Sequence, residues 1–344
     1  MPVSYNGLLY PVSQPATPPP YQRPLDWLHL PVFLPEEEKF AGLFPVYDDD
    51  GNFLALYCEG DFVVDWGDGF TETFPLGTTA EHTYDYASVD PSTLSERGYR
   101  QVVVTVTPLR AGEFNVLDLT VRHTAITGGY TSYPWLDIGL SMPNASDGGI
   151  YFSYYYTDYG QYPYYFSCYP TSLEILTIYD TGGCTSLYDL LYGCSGLRVA
   201  EIKSMPNVED ISYLFDYCIS LNTVILPDMP SVLYAEYLFN YCGPLSLVSM
   251  GDISNCDVYG MFYSLDGGIE ELIIGKLGTD ISDLFDNPYF IGSITIGDAS
   301  LLETAEYAFY EVYGLRSISF PPTPSLTDTY YMFEYCYNLE KVQF

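Results

Sequence analysis

The sequence predicts a mainly β protein: an N-terminal antiparallel β-sandwich followed by a repeat solenoid of about eight rungs with a period of 23–24 residues. Three observations predict it. Between residues 25 and 127 short apolar stretches alternate with Asp- and Gly-rich turns; through the second half apolar anchors recur at constant spacing; and after each anchor a second set of apolar positions follows in fixed register.

At 344 residues the chain has room for two or three domains, each with its own core. The formal net charge is −34, from 45 acidic residues against 11 Lys and Arg, but 48% of residues are hydrophobic and 17% aromatic. That apolar content offsets the entropy of ordering, so the acid decorates a folded surface. No basic cluster exists to displace counterions from a phosphate backbone, which argues against nucleic acid as a partner and against anionic membrane surfaces. The N-terminus has no basic start and no apolar core of a signal peptide, and no later apolar stretch approaches the length of a membrane span. The eight cysteines are too thinly spread for a disulfide scaffold and read as buried thiols.

Residues 1–24 carry Pro11, Pro15, Pro18, Pro19, Pro20 and Pro24 and read as an arm or linker. In residues 25–127 the predicted strands are Phe53 to Tyr57, Phe62 to Trp66, Tyr99 to Thr107 and Phe114 to Val121. Val64-Asp65-Trp66-Gly67-Asp68-Gly69 sets a large aromatic beside a tight turn, and His82-Thr83-Tyr84 and Gly98-Tyr99 with Val102, Val104 and Val106 follow. This series resembles the polycystic-kidney-disease (PKD) type of immunoglobulin-like domain, which implies a β-sandwich. The sequence departs from that family in placing Trp66 where phenylalanine is usual and in a longer stretch from Asp85 to Arg97.

Two acidic turns admit calcium. Asp48-Asp49-Asp50-Gly51-Asn52 offers carboxylates at alternate positions (Asp48, Asp50), but its glycine comes too early for an EF-hand and no closing Glu follows, so an Asp-Gly hairpin turn is the favoured reading. Asp65 and Asp68 flank Trp66 and are explained by turn-stabilising side-chain bonds as readily as by an ion. No other cofactor or metal is expected.

Residues 128–165 form a Tyr-rich connector or the N-terminal cap of the solenoid, and include the candidate recognition residues Tyr154, Tyr155, Tyr156 and Tyr159. Tyrosine offers rigid amphipathic area at low entropic cost, which serves a binding surface and a cap equally well.

From 166 to 344 the anchors Leu191, Phe215, Phe239, Phe262, Phe285, Phe309 and Phe333 recur. The second ladder runs from Leu173/Leu176/Ile178 through Leu221/Val224/Leu226 to Leu339/Val342/Phe344. One short strand per repeat turns these positions into a continuous core, which a single unit cannot bury alone. Phe215-x-x-Cys218-x-x-Leu221-x-x-Val224-x-Leu226-Pro227, with its echoes, resembles the BspA-like leucine-rich repeats of bacterial and phage surface proteins. Leu265, Pro288 and Val312 replace the cysteine in three repeats, so the column of Cys194, Cys218 and Cys242 reads as packing rather than as a metal or redox ladder. Tyr213, Tyr237, Tyr307 and Tyr331 stand two residues before the anchors, and Tyr217, Tyr241 and Tyr335 two after, as outward ladders that could be structural, binding or both.

The three histidines are scattered, and no nucleophile elbow, zinc motif or phosphate loop is present. Acidic runs such as Glu36/Glu37/Glu38 and Glu270/Glu271 read as solvated surface rather than as a glycoside-cleaving pair. A non-enzymatic protein is therefore expected. Val342 and Phe344 sit on the ladder in mid-repeat and are expected to form an assembly edge, covered by another copy or by other virion proteins. The two resemblances together are similar to structural proteins of tailed phages. They imply a virion fibre or decoration protein meeting a host surface glycan or protein; a bacterial extracellular adhesin or filament subunit is the alternative.

Overall fold

The computed structural model of the chain describes residues 3–5, 8–10, 19–127, 133–152, 171–265, 267–286 and 290–344. Among them there is no α-helix, only two short 3₁₀ turns at Tyr86–Ser88 and Pro91–Thr93, each begun by an Asp side chain accepting a backbone N–H. The chain divides into two compact units, one of residues 22–208 and one joining 1–21 to 209–344.

The first unit contains a two-sheet sandwich. In one sheet Lys39–Val46 lies between Arg100–Pro108 and Asp137–Ser141, both antiparallel to it, and Phe62–Asp65 pairs with Arg100–Pro108 and with Thr71–Phe74. In the other, Phe53–Cys58 pairs with Thr79–Thr83 and Leu117–Asp118. Trp66, Phe44, Phe62, Leu54, Leu56, Val104 and Phe114 are buried in this unit. A second cluster gathers Trp27, Leu43, Tyr99 and Leu136, with the Trp27 indole N–H donating to the Tyr99 hydroxyl at 2.9 Å.

The Asp48–Asn52 turn is not a hairpin. Lys39–Val46 and Phe53–Cys58, which it connects, belong to different sheets, so the turn arches from one layer of the sandwich to the other. Asn52 is buried and closes the arch, accepting from Tyr47 N and donating to the Tyr47 and Asp49 carbonyls. The same Asx chemistry serves hairpin and arch alike, which is why the local sequence does not distinguish them.

Asp137–Ser141 is antiparallel to Lys39–Val46 on one side and parallel to Ile175–Asp180 on the other. Ile175–Asp180 in turn pairs in parallel with Val199–Ile202. One strand thus converts a sandwich sheet into the parallel sheet of the solenoid, and its five residues are all buried because both faces are covered.

In the second unit Thr223–Leu226, Leu245–Asp252, Ile269–Lys276 and Ile291–Asp298 form a parallel ladder in which Val224, Val248, Leu272 and Ile294 share one register. Ser317–Ser319 and Lys341–Gln343 pair likewise. The chain is mainly β, with eight solenoid strands among the described residues, one for each predicted rung. The phenylalanine anchors form a stacked spine at the opposite corner of each turn: Phe215–Phe239, Phe239–Phe262, Phe262–Phe285 and Phe285–Phe309 have ring centroids 5.5, 5.2, 4.8 and 5.2 Å apart. Burying one such ring contributes about 1.5–3 kcal/mol. The end of the N-terminal arm is bonded to Asn222: Tyr21 N donates to Asn222 Oδ1 at 2.9 Å, and Asn222 Nδ2 donates to the Pro19 carbonyl at 3.4 Å.

Candidate functional site

The tyrosine columns occupy the turns before and after each phenylalanine anchor. Four of the turns begin with a carboxylate: Asp210, Asp257, Asp280 and Asp328 accept from the backbone N–H two residues on, at 2.9, 3.1, 2.8 and 3.0 Å. The backbone then enters the left-handed region at the position two before the anchor. There φ is 56° at Asp189, 58° at Tyr213, 52° at Tyr237, 57° at Gly260, 54° at Asp283, 53° at Tyr307 and 50° at Tyr331. Two residues after the anchor it does so again, at Gly193, Tyr217, Tyr241, Ser264, Glu311 and Tyr335. The columns singled out in the sequence as tyrosine ladders are therefore a conformational repeat. Of its non-tyrosine members, Asp189, Gly193, Gly260 and Asp283 are of the types that tolerate this conformation, whereas Ser264 and Glu311 are not.

A non-glycine residue in the left-handed region costs about 1–2 kcal/mol. The rings recover part of it by stacking: Tyr213 lies on Tyr237 at 5.2 Å, Tyr217 on Tyr241 at 4.7 Å and Tyr307 on Tyr331 at 5.3 Å. At Gly260 the column is interrupted, because a Cβ there would lie 2.8 Å from Tyr237 Cε1. Tyr213, Tyr237 and Tyr307 are half-buried, whereas Tyr217, Tyr241 and Tyr331 are exposed by 42, 39 and 43%. Burial and the neighbouring Tyr259 hydroxyl push the Tyr237 phenol up, and the bond between Tyr330 and Tyr331 pushes Tyr330 up to about 12. Tyr237 and Tyr330 thus stay neutral at physiological pH, on a strongly acidic protein. Tyr154, Tyr155, Tyr156 and Tyr159 lie outside the described residues.

At the last rung Val342 is half-buried and Phe344 is 59% exposed, stacked on Phe320 with centroids 5.3 Å apart. Together with Met332 and Phe333 they line a groove of about 790 Å³. Their counterparts one turn earlier, Ile318 and Phe320, are buried.

The other candidates have local structural roles. Cys194, Cys218 and Cys242 are fully buried and form no disulfide, and the Cys242 thiol donates to a backbone carbonyl; burial pushes Cys194 and Cys242 well above the usual thiol range. Asp65 accepts from Gly67 N at 3.0 Å, while Asp68 accepts from Phe70 N and pairs with His82 at 2.8 Å. Asp48 and Asp50 are exposed, and among the described residues no group of three or more His, Cys, Asp or Glu is placed to hold a metal ion. The Trp66 turn and the His82–Tyr84 strand meet: the His82 ring stacks on Trp66 at 4.8 Å and the Tyr84 hydroxyl donates to the Trp66 carbonyl at 2.9 Å. Gly67, at φ 78°, is forced there because a Cβ would lie 2.5 Å from the Val103 carbonyl oxygen.

His123 approaches the Thr83 hydroxyl at 3.4 Å, superficially a nucleophile and base. Ala125 N, however, donates to His123 Nδ1 at 3.0 Å, so in the neutral ring Nε2 carries the proton and cannot accept one from threonine. Glu38 is buried and accepts from Gly112 N, Phe114 N and Asn144 Nδ2, bonds that tie loops together. Glu37 pairs with Lys39, and Glu270 and Glu271 are exposed.

A parallel solenoid with a phenylalanine spine, small buried residues at each corner and one short strand per turn defines the class of repeat proteins that present extended surface. Residues 162–285 and 260–344 match the family model described as a BspA type leucine-rich repeat region, in six copies, and the chain belongs to that family. No curated protein and no solved structure matches the chain. Among the described residues, no helix is long and apolar enough to cross a membrane.

Proposed function

We propose that this protein is a non-enzymatic structural and recognition component of a phage virion, a fibre or decoration protein whose repeat surface serves assembly or host attachment. The observation that carries the reading is the retention of exposed tyrosines such as Tyr217 and Tyr241 at left-handed positions where glycine would cost nothing. Strain held at a repeated surface position is compensated by what the side chain does there, and a row of tyrosine rings suits contact with a glycan or a protein. Many weak contacts along the solenoid then act together. The sandwich fits the PKD-type resemblance through the meeting of Trp66, His82 and Tyr84 and would serve as the attachment module.

Cryo-electron microscopy of particles purified from the source lysate tests the proposal. Regular copies on a capsid or tail support it. Copies confined to particle-free filaments or cell surfaces would replace it with the extracellular adhesin or filament subunit, and monomers in the soluble fraction alone would end both.

A further inference from the structure

The first unit holds a polar cavity of about 300 Å³ whose wall is chemically unlike the rest of the protein. Its lining includes Tyr47, Arg97, Thr171, Ser172, Glu174 and Arg198. Two of the chain's 11 cations therefore meet at one small depression, in a protein where acids outnumber bases fourfold. The two arginines are in different states. Arg97 is fixed: it forks onto both Glu174 oxygens, with its Nη2 at 3.2 Å from Oε2, and its guanidinium lies 5.2 Å from the Trp27 ring centroid. Arg198 stands on the next rung, its backbone N–H donating to the Glu174 carbonyl at 2.8 Å, yet its guanidinium has no hydrogen bond or ion pair among the described residues.

We propose that this cavity binds a single acidic sugar residue, a uronic or sialic acid, through its carboxylate. Arg198 supplies the free planar fork that a carboxylate fits. Tyr47, 41% exposed and held edge-on against Tyr99 at 5.6 Å, supplies an aromatic wall for a pyranose ring. The hydroxyls of Thr171 and Ser172 and the carboxylate of Glu174, itself neutralised by Arg97, take sugar hydroxyls. The volume is at the small end of ligand pockets and suits one sugar rather than an extended chain. This site is on a different unit from the tyrosine turns and does not depend on how those are used.

The test uses the full chain with sodium glucuronate, galacturonate and N-acetylneuraminate as probes, and glucose and galactose as neutral controls, read by saturation-transfer NMR and titration calorimetry. At least one acidic sugar should bind in the millimolar range expected of a monosaccharide with few contacts, and about tenfold more tightly than its neutral counterpart. Arg198→Ala, at an exposed position, should weaken that sugar about tenfold while leaving the melting temperature unchanged, and Tyr47→Ala should weaken it severalfold. The proposal is overturned if no acidic sugar binds, if neutral sugars bind equally well, or if Arg198→Ala retains full affinity. Tyr217→Ala and Tyr241→Ala, at exposed solenoid turns, serve as the control that separates this site from surface recognition, since they should leave acidic-sugar binding intact.

Discussion

The Cys242 thiol donates to the Phe215 carbonyl one turn earlier at 3.1 Å, and Cys336 repeats the contact to Phe309 at 3.0 Å. The cysteine column is thus a set of small buried donors that satisfy spine carbonyls. Where Leu265 and Val312 replace cysteine, the position remains fully buried. Because burial disfavours the thiolate, Cys194, Cys218 and Cys242 should resist a thiol reagent at pH 8 in the folded protein and react completely in denaturant. Residue-resolved mass spectrometry checks this, and rapid labelling of any of the three in the native state would refute the packing role. Cys242→Val, the natural choice at 312, should cost no more than about 1.5 kcal/mol.

Phe262 lies between Phe239 and Phe285 at 5.2 and 4.8 Å and is fully buried. Phe262→Ala should cost about 3–5 kcal/mol. Because each rung is stabilised chiefly by its neighbours, the loss should be seen as faster amide exchange in the adjoining rungs, with the sandwich unaffected. Uniform loss of protection across the whole chain would show that the rungs do not behave as nearest-neighbour units.

Gly260→Ala places a Cβ at φ 57° and 2.8 Å from the Tyr237 ring. The expected cost is about 1–2 kcal/mol, measured by denaturant titration, although tyrosine occupies the same column at 213 and 237. A neutral result would mean that Tyr237 has room to move away.

Trp66 donates through its indole N–H to Glu72 at 2.9 Å. Trp66→Phe, which keeps an aromatic ring but removes the donor, and Glu72→Gln should be coupled in a double-mutant cycle by about 1 kcal/mol. Coupling near zero would leave Trp66 with a packing role only.

Burial, with a contribution from Asp280, raises the Asp283 carboxyl above its ordinary value of 3.8. The folded state therefore holds this proton more tightly than the unfolded chain does. The stabilisation this brings is fully present below the ordinary value and is lost as pH rises through the raised one. Asp283→Asn, which also suits a left-handed backbone, should raise the melting temperature at pH 7 and lose that advantage near pH 3. An advantage that persists unchanged at low pH would assign the effect to the backbone instead.

The repeat was legible in the sequence because its signal is local and multiplied. Leu221, Val224 and Leu226 recur at the same offsets in every rung, so each rung corroborates the others. The left-handed corners were written there too, in the substitution of Gly193, Gly260, Asp189 and Asp283 for tyrosine, but a column of aromatic residues draws attention to rings rather than to φ. Lys39–Val46 was not anticipated because it is buried along nearly its whole length and carries Pro45, so it shows no alternation.

By itself the sequence determined the period, the spine, the buried cysteine column and the acidic exterior, all set by residues a fixed number of positions apart along one stretch of chain. Only the tertiary structure decided which strands pair across long separations: that Asp48–Asn52 arches between sheets, that Asp137–Ser141 joins antiparallel to parallel strands, and that Arg97 and Arg198 share a cavity. Strand pairing depends on which edges remain open once the other strands have docked, and turn residues with the same local bonds are compatible with either outcome.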